Sequence, residues 1–314
     1  MSLFLLRRVI GLVVTLAVAS GIVFALMTVL PGDPAELMLG TDARADTLQA
    51  LRHEMGLDRP LLAQYIGWVF GMMQGDFGVS HTYHVPVANL IVERLPLSLP
   101  LAFLSLGMAL LLGIPGGVLA ASQEGRFLDH YIRFKTQVLL ALPNFWLAML
   151  LVFVFAILWH GLPAGGFPGW GGGFAAVRAL ILPTVALALP QAALLARVMR
   201  QAVLETLEDT YVVAARARGL SRTAVLIRHA LPNAFIPVLS IIGLQFSFLL
   251  AGTIIIENVF YLPGLGRLML QAVNQRDLPV VTGIAMVLIA SVITVSFVVD
   301  GLTRLMDPRL RGRP

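Results

Sequence analysis

The sequence predicts an all-α membrane protein with six transmembrane helices and an external loop lobe. Three observations carry that reading. The 314 residues are 58% apolar and 12% charged, against about half and about a quarter in ordinary globular chains. Runs free of Asp, Glu, Lys and Arg recur six times, and a helix needs ~20 such residues to cross a ~30 Å hydrocarbon layer. The cations gather in the segments that alternate connections place on one side.

The first run, residues 9–30, follows Arg7 and Arg8 and is 22 residues long. Ala17-Val18-Ala19 resembles a cleavage site, but a signal h-region has roughly 7–15 apolar residues. The length favours a retained anchor over residues 1–30. Residues 31–94 form the external lobe, within which Leu61, Tyr65, Trp68, Val69 and Met72 recur at helical spacing over Leu61–Met73. Trp and Tyr there suit an interfacial helix or one capping the bundle mouth, and equally a helix packed on neighbouring spans.

The remaining runs are 95–123, 136–177, 179–196, 230–256 and 278–299. The second of these is too long for one helix. Residues 160–173 hold seven glycines with Pro163 and Pro168, so a span over 136–159 followed by a loop is expected. Pro183 and Pro190 are expected to kink the short run 179–196, which lipid tolerates where neighbouring helices or water satisfy the freed backbone groups. Residues 95–304 make up the membrane core, and 305–314 are a tail.

With six spans both termini share a side. If that side is cytoplasmic, 15 of the 22 basic residues lie inside, while the acids divide ten outside and seven inside. The positive-inside rule favours this orientation. The net charge of +5 is therefore a membrane signature, and nucleic acid is not an expected partner.

Several chemistries are excluded. The chain has no cysteine, which removes disulfides, thiolate zinc sites and cysteine nucleophiles. No phosphate-binding loop exists, because the only lysine, Lys135, follows Phe134 rather than Gly. An intramembrane hydrolase would need a nucleophile or paired carboxylates at depth, yet Glu257 and Asp300 sit only at span edges. His81-x-x-His84 lacks the further ligands a specific metal site requires, so no metal, cofactor or catalytic residue is assigned. Asn144, Gln191 and Gln245 are intramembrane polar residues that either line a solute path or make packing hydrogen bonds. A membrane scaffold or receptor without a path is the rival class.

The stretch at 211–235, YVVAARARGLSRTAVLIRHALPNAF, is cationic yet bounded by apolar runs. Asp209 or Thr210 can cap a helix of ~14 Å, at ~1.5 Å per residue, that Gly219 ends in the left-handed conformation. Ser221 starts a second helix, which Pro232 is expected to interrupt. Ala214, Ala215 and Ala217 permit close approach by another surface. A solvated loop, a lipid-headgroup patch and a docking helix for a cytosolic partner all fit this composition.

Here the residues resemble the EAA loop of ABC-importer permeases. Val213-Ala214-Ala215 is followed at the family's spacing by Gly219 and by His229, Ala230, Leu231 and Pro232. Val213 stands where the family has Glu, and His229 where it has Ile. The forms ARARGL and RHALPNA are similar to the peptide/nickel subfamily, as are LPGDPA at 30–35, MGLDRPLLAQY at 55–65, GDFGVS at 75–80, PGLGRL at 263–268, RDLPVV at 276–281 and DPRLR at 307–311.

The resemblance implies a type I ABC importer permease bundle in the bacterial cytoplasmic membrane. Its expected partners are a second homologous permease subunit in a heterodimer, two cytosolic ATPases that carry ATP and Mg, an external solute-binding protein and membrane lipid. Within the loop 205–235, residues Val213, Ala214, Ala215, Arg216, Arg218, Gly219, Leu220 and Ser221 would form the coupling helix that ATPase closure drags, switching the bundle between its two faces. Dipeptides, oligopeptides, glutathione, opines and nickel are the substrates associated with such permeases.

Overall fold

In the computed structural model, residues 2–29, 35, 44–54 and 56–306 are described. Most of LPGDPA and all of DPRLR, with most of the tail, lie outside them. The described residues form α1 (Ser2–Val29), α2 (Ala45–Glu54), α3 (Leu61–Met73), α4 (Val87–Ser122), α5 (Phe127–Ala141), α6 (Asn144–Leu151), α7 (Phe174–Glu208), α8 (Thr210–Ala217), α9 (Arg222–Val225), α10 (Leu231–Val259), α11 (Leu265–Asn274) and α12 (Leu278–Met306). Five helices, one of them α9 and α10 joined, are long and apolar enough to cross a membrane. A bent pair brings the number to six when counted as one span.

That bent pair corrects one expectation. A straight span over 136–159 is not formed: α5 starts at Phe127 and stops at Ala141, and the chain turns by 104° before Asn144–Leu158. Leu142 precedes Pro143 and is forced extended, at φ −83° and ψ 127°, because the proline ring excludes the helical region for its predecessor. Beyond Leu151 the helix widens into a π-helical stretch, Val152–Leu158.

The run around 179–196 is part of a much longer helix. Pro183 and Pro190 lie inside α7, which continues for 35 residues, about 52 Å at ~1.5 Å per residue. That exceeds the ~30 Å hydrocarbon layer, so α7 is longer than one crossing needs, and its last turns carry Arg197, Arg200 and Glu205. Both prolines are buried, where neighbouring helices shield the carbonyls they leave free.

Pro232 likewise fails to break its helix. A π-helical turn, Leu226–Ala230, joins α9 to α10, and the widened turn absorbs the proline's missing donor and ring.

The chain divides into two compact units, Met1–Pro96 with Leu268–Ile293 and Leu97–Arg267 with Thr294–Pro314. In the first, α3 packs on α1: Tyr65 Oη lies 2.8 Å from Ser20 Oγ, and Phe24 meets the rings of Tyr65 and Trp68 at 5.4 and 5.8 Å. The helix thus contacts a neighbouring span, while Leu61, Leu62, Ile66, Phe70 and Met73 stay exposed. Asp277 ties GDFGVS to RDLPVV, accepting from Ser80 Oγ and from the backbone N–H of His81 and Thr82.

The second unit is built on close helix approach. A Cβ on Gly113 would lie 2.7 Å from Ala192 O, and one on Gly117 would lie 2.5 Å from Ala196 O. Only glycine lets α4 and α7 come this near. The buried residues of α4, α7 and α10, among them Ala192, Leu195, Met199 and Val238, form a continuous apolar cluster there.

Candidate functional site

Local sequence explains the geometry of the cationic stretch 211–235, the island between two apolar runs. Asp209 is extended, and its carbonyl accepts from Val212 and Val213 N–H, starting α8 without a side-chain cap. The helix has eight residues, about 12 Å at ~1.5 Å each. Gly219 has φ +85°, a conformation a β-carbon disfavours, and its N–H closes onto Arg216 O. Ser221 then caps α9, its Oγ accepting from Ala224 N–H at 3.3 Å.

The first of these helices is fastened to the π-helical turn and to the start of α10. Tyr211 Oη on α8 donates to His229 O and accepts from Asn233 Nδ2 at 2.7 Å. Behind this polar clasp Val212, Ala215 and Val225 form a small buried cluster with Leu207 at the end of α7. These contacts hold α8 against the end of α7 and the start of α10.

Of the eight residues expected to serve coupling, Val213, Ala214, Arg216, Arg218, Gly219, Leu220 and Ser221 are exposed. Ala215 is not. It is 7% exposed and packs within its own chain, because α8 must bury one apolar stripe to be held at all. The small-residue face expected to receive a partner is therefore split, with Ala214 and Ala217 outward and Ala215 inward.

The expected path residues are not joined to one another by hydrogen bonds. Asn144, half-buried at the start of α6, lies near Gly252, whose Cβ would sit 3.6 Å from its Nδ2. Gln245 is 1% exposed, and neither polar atom of its side chain has a protein partner; Gln191 Oε1 is likewise unpartnered. Within this chain Gln245 therefore makes no packing hydrogen bond.

Three polar constellations escaped the sequence reading. Asp129, 1% exposed, takes Arg200 in a bidentate pair, with Nε at 2.7 Å and Nη2 at 2.8 Å, and accepts from Gly125 N–H. This pins the turn between α4 and α5 to the end of α7. Glu257, fully buried, accepts from Ser98 Oγ at 2.6 Å and from Gly266 and Arg267 N–H. Those donors open α11, so the Glu257 carboxylate does the work of a cap. A Cβ at Gly264 or Gly266 would collide with that carboxylate or with the backbone of Ile254, which accounts for both glycines of PGLGRL.

The third constellation is the Asp277 cluster. Burial pushes its carboxyl up, but hydrogen bonds from Ser80 and from the backbone N–H of Thr82, His81 and Val280 outweigh this and hold it below its ordinary value. Burial pulls His81 below the usual histidine range against the attraction of Asp277, and the nearby His84 adds to the lowering. Its Nδ1 is buried without a partner. Among the described residues, no group of three His, Asp or Glu side chains is placed to hold a metal ion.

Long apolar helices, one broken span and a clasped cationic helix pair at the end of α7 define a membrane-embedded transport subunit. The chain belongs to the family of binding-protein-dependent transport system inner membrane components, whose model matches residues 113–312; the model of the family's N-terminal part matches residues 1–102. It is 37% identical over 308 residues to the glutathione transport system permease protein GsiC of Escherichia coli (strain K12), covering 98% of each chain. It is 34% identical over 312 residues to the "Probable peptide ABC transporter permease protein y4tP" of Sinorhizobium fredii, covering 99% of this chain and all of that one. The fold is shared with the inward-facing MetNI methionine ABC transporter, at a TM-score of 0.58 and 20% identity over 69% of this chain and 96% of that one.

The protein is thus a multi-pass inner-membrane permease subunit of an ATP-driven ABC importer, not an enzyme. Its family works with an ATPase and a solute-binding protein.

Proposed function

We propose that this permease imports peptides or closely related solutes, and that the helix pair from Thr210 to Val225 is where ATPase motion enters. The substrate reading is supported by the names of relatives 34–37% identical over nearly the whole chain. The coupling reading rests on one observation: a clasped helix pair with seven of its eight expected contact residues exposed, backed onto α7. ATP and Mg are bound on the ATPase partners, and this chain binds no cofactor. A second homologous permease completes the pathway as a heterodimer, with lipid around it, and the positive-inside bias supports both termini in the cytoplasm. Nucleotide drives the cycle only by contacting one state better than the other.

The test is Gly219→Pro, which cannot adopt φ +85°. Membrane insertion is expected to persist while ATPase co-purification and peptide uptake are lost. Full retention of both partner and uptake would sink the coupling assignment. The chain alone in liposomes with ATP is expected to hydrolyse none.

A further inference from the structure

Between α5 and α7, at the island end of α7, lies a cavity of about 830 Å³. That is within the ~300–1,000 Å³ of small-molecule sites. Its wall carries Arg133 and Gln137 from α5 with Arg197, Arg200 and Gln201 from α7. Arg133 and Gln137 are four residues apart, as are Arg197 and Gln201, so each pair shares one helix face.

The charges on this wall are unequally matched. Asp129 takes up Arg200 from behind, and Glu205, the wall's one acid, accepts from Gln201 at 2.8 Å. Neither Arg133 nor Arg197 makes an ion pair among the described residues. The wall itself carries three arginines against one acid, Glu205, while Asp129 and Glu124 act on Arg200 from outside the lining, and apolar walls such as Leu140 and Ala141 focus the field of the wall's own charges into the cavity. Asn144, Gln191 and Gln245 do not line it.

We propose that this cavity binds the carboxylate of the transported solute, with Arg133 and Arg197 as the recognising groups and Arg200 fixed in place by Asp129. The proposal rests on the peptide-permease reading, since every free peptide ends in a carboxylate. Guanidinium forks match that planar oxyanion. An anionic lipid headgroup offers similar oxygens, but the amides of Gln137 and Gln201 on the wall suit a hydrated solute better than an acyl chain.

The absence of cysteine from the chain makes a direct test available. Thr136, also on the wall, is changed to Cys in the assembled complex, held in nanodiscs of phosphatidylcholine. Its modification rates by an anionic and by a cationic methanethiosulfonate reagent are read from the mass of this chain. The anionic reagent is expected to react faster, and Arg133→Gln with Arg197→Gln should cut that preference roughly tenfold. Tri-alanine should slow modification, while its C-terminal amide should not. Equal rates for the two reagents, or equal protection by both peptides, would overturn the site. Protection that appears only when phosphatidylglycerol is added would assign it to lipid and overturn the solute reading. Uptake of tri-alanine is scored separately: its absence with carboxylate-selective protection intact counts against peptide import and supports the anion site.

Discussion

The Asp129–Arg200 pair makes an asymmetric prediction. Asp129 is 1% exposed and Arg200 17% by side chain. Replacing Arg200 by Met strands a buried carboxylate whose remaining donor is Gly125 N–H. Breaking a buried pair from that side costs about 3–5 kcal/mol. Asp129→Leu instead strands a guanidinium on the wall of an open cavity, where water reaches it, and the expected cost falls to about 1–2 kcal/mol. The double replacement removes both charges and fills the gap with apolar atoms, so it should cost less than Arg200→Met alone. The assay is the fraction of detergent-solubilised protein that stays monodisperse after heating. At roughly 2 °C per kcal/mol, Arg200→Met should lower the midpoint by about 6–10 °C and Asp129→Leu by about 2–4 °C. Equal losses, or a double variant worse than Arg200→Met, would refute the burial argument.

Two further outcomes are expected. Ala215→Glu places a carboxylate in the pocket of Val212, Val225 and Leu207 and should abolish uptake, whereas Val213→Glu, at a position 51% exposed and matching the family's own Glu, should leave uptake within about twofold; equal loss from both would show that α8 is not oriented as described. Acid should loosen the first unit in two steps. His81, held below the ordinary 6.5, contributes stability above that value and loses it as pH falls through its lowered folded value; Asp277, held below 3.8, does the same further down. Proteolysis of residues 75–86 against pH reads both; Asp277→Asn should remove the lower step and, without the carboxylate's attraction, move the His81 step further down. A lower step that persists in Asp277→Asn contradicts its assignment.

Much of this protein could be read before any coordinates. The ends of the island were legible because Gly219 and Ser221 act through their own backbone or nearest neighbours, and α3 was legible because its apolar period is local. The break at Pro143 was missed although proline signals it: the charge-free run masked a boundary that depends on Leu142 being driven extended. The opposite case is Pro232, where the helix continues because a π turn absorbs the loss. Ala215 was assigned to the wrong face since spacing identifies a small-residue helix but does not say which side meets Leu207. Glu257 was seen only as a span-edge acid, although the paired glycines of PGLGRL signalled a close approach.

The sequence by itself determined the membrane class, the apolar runs, the charge asymmetry and the family motifs, because each is a property of composition or of residues near in the chain. Tertiary structure alone decided which acids are buried and by whom they are paired. Asp129 finds Arg200, Glu257 finds Ser98 and Asp277 finds Ser80 across 71, 159 and 197 residues of chain. An isolated charge cannot stay in an apolar interior, so each of those pairings had to exist, but only the packed helices bring the partners within reach.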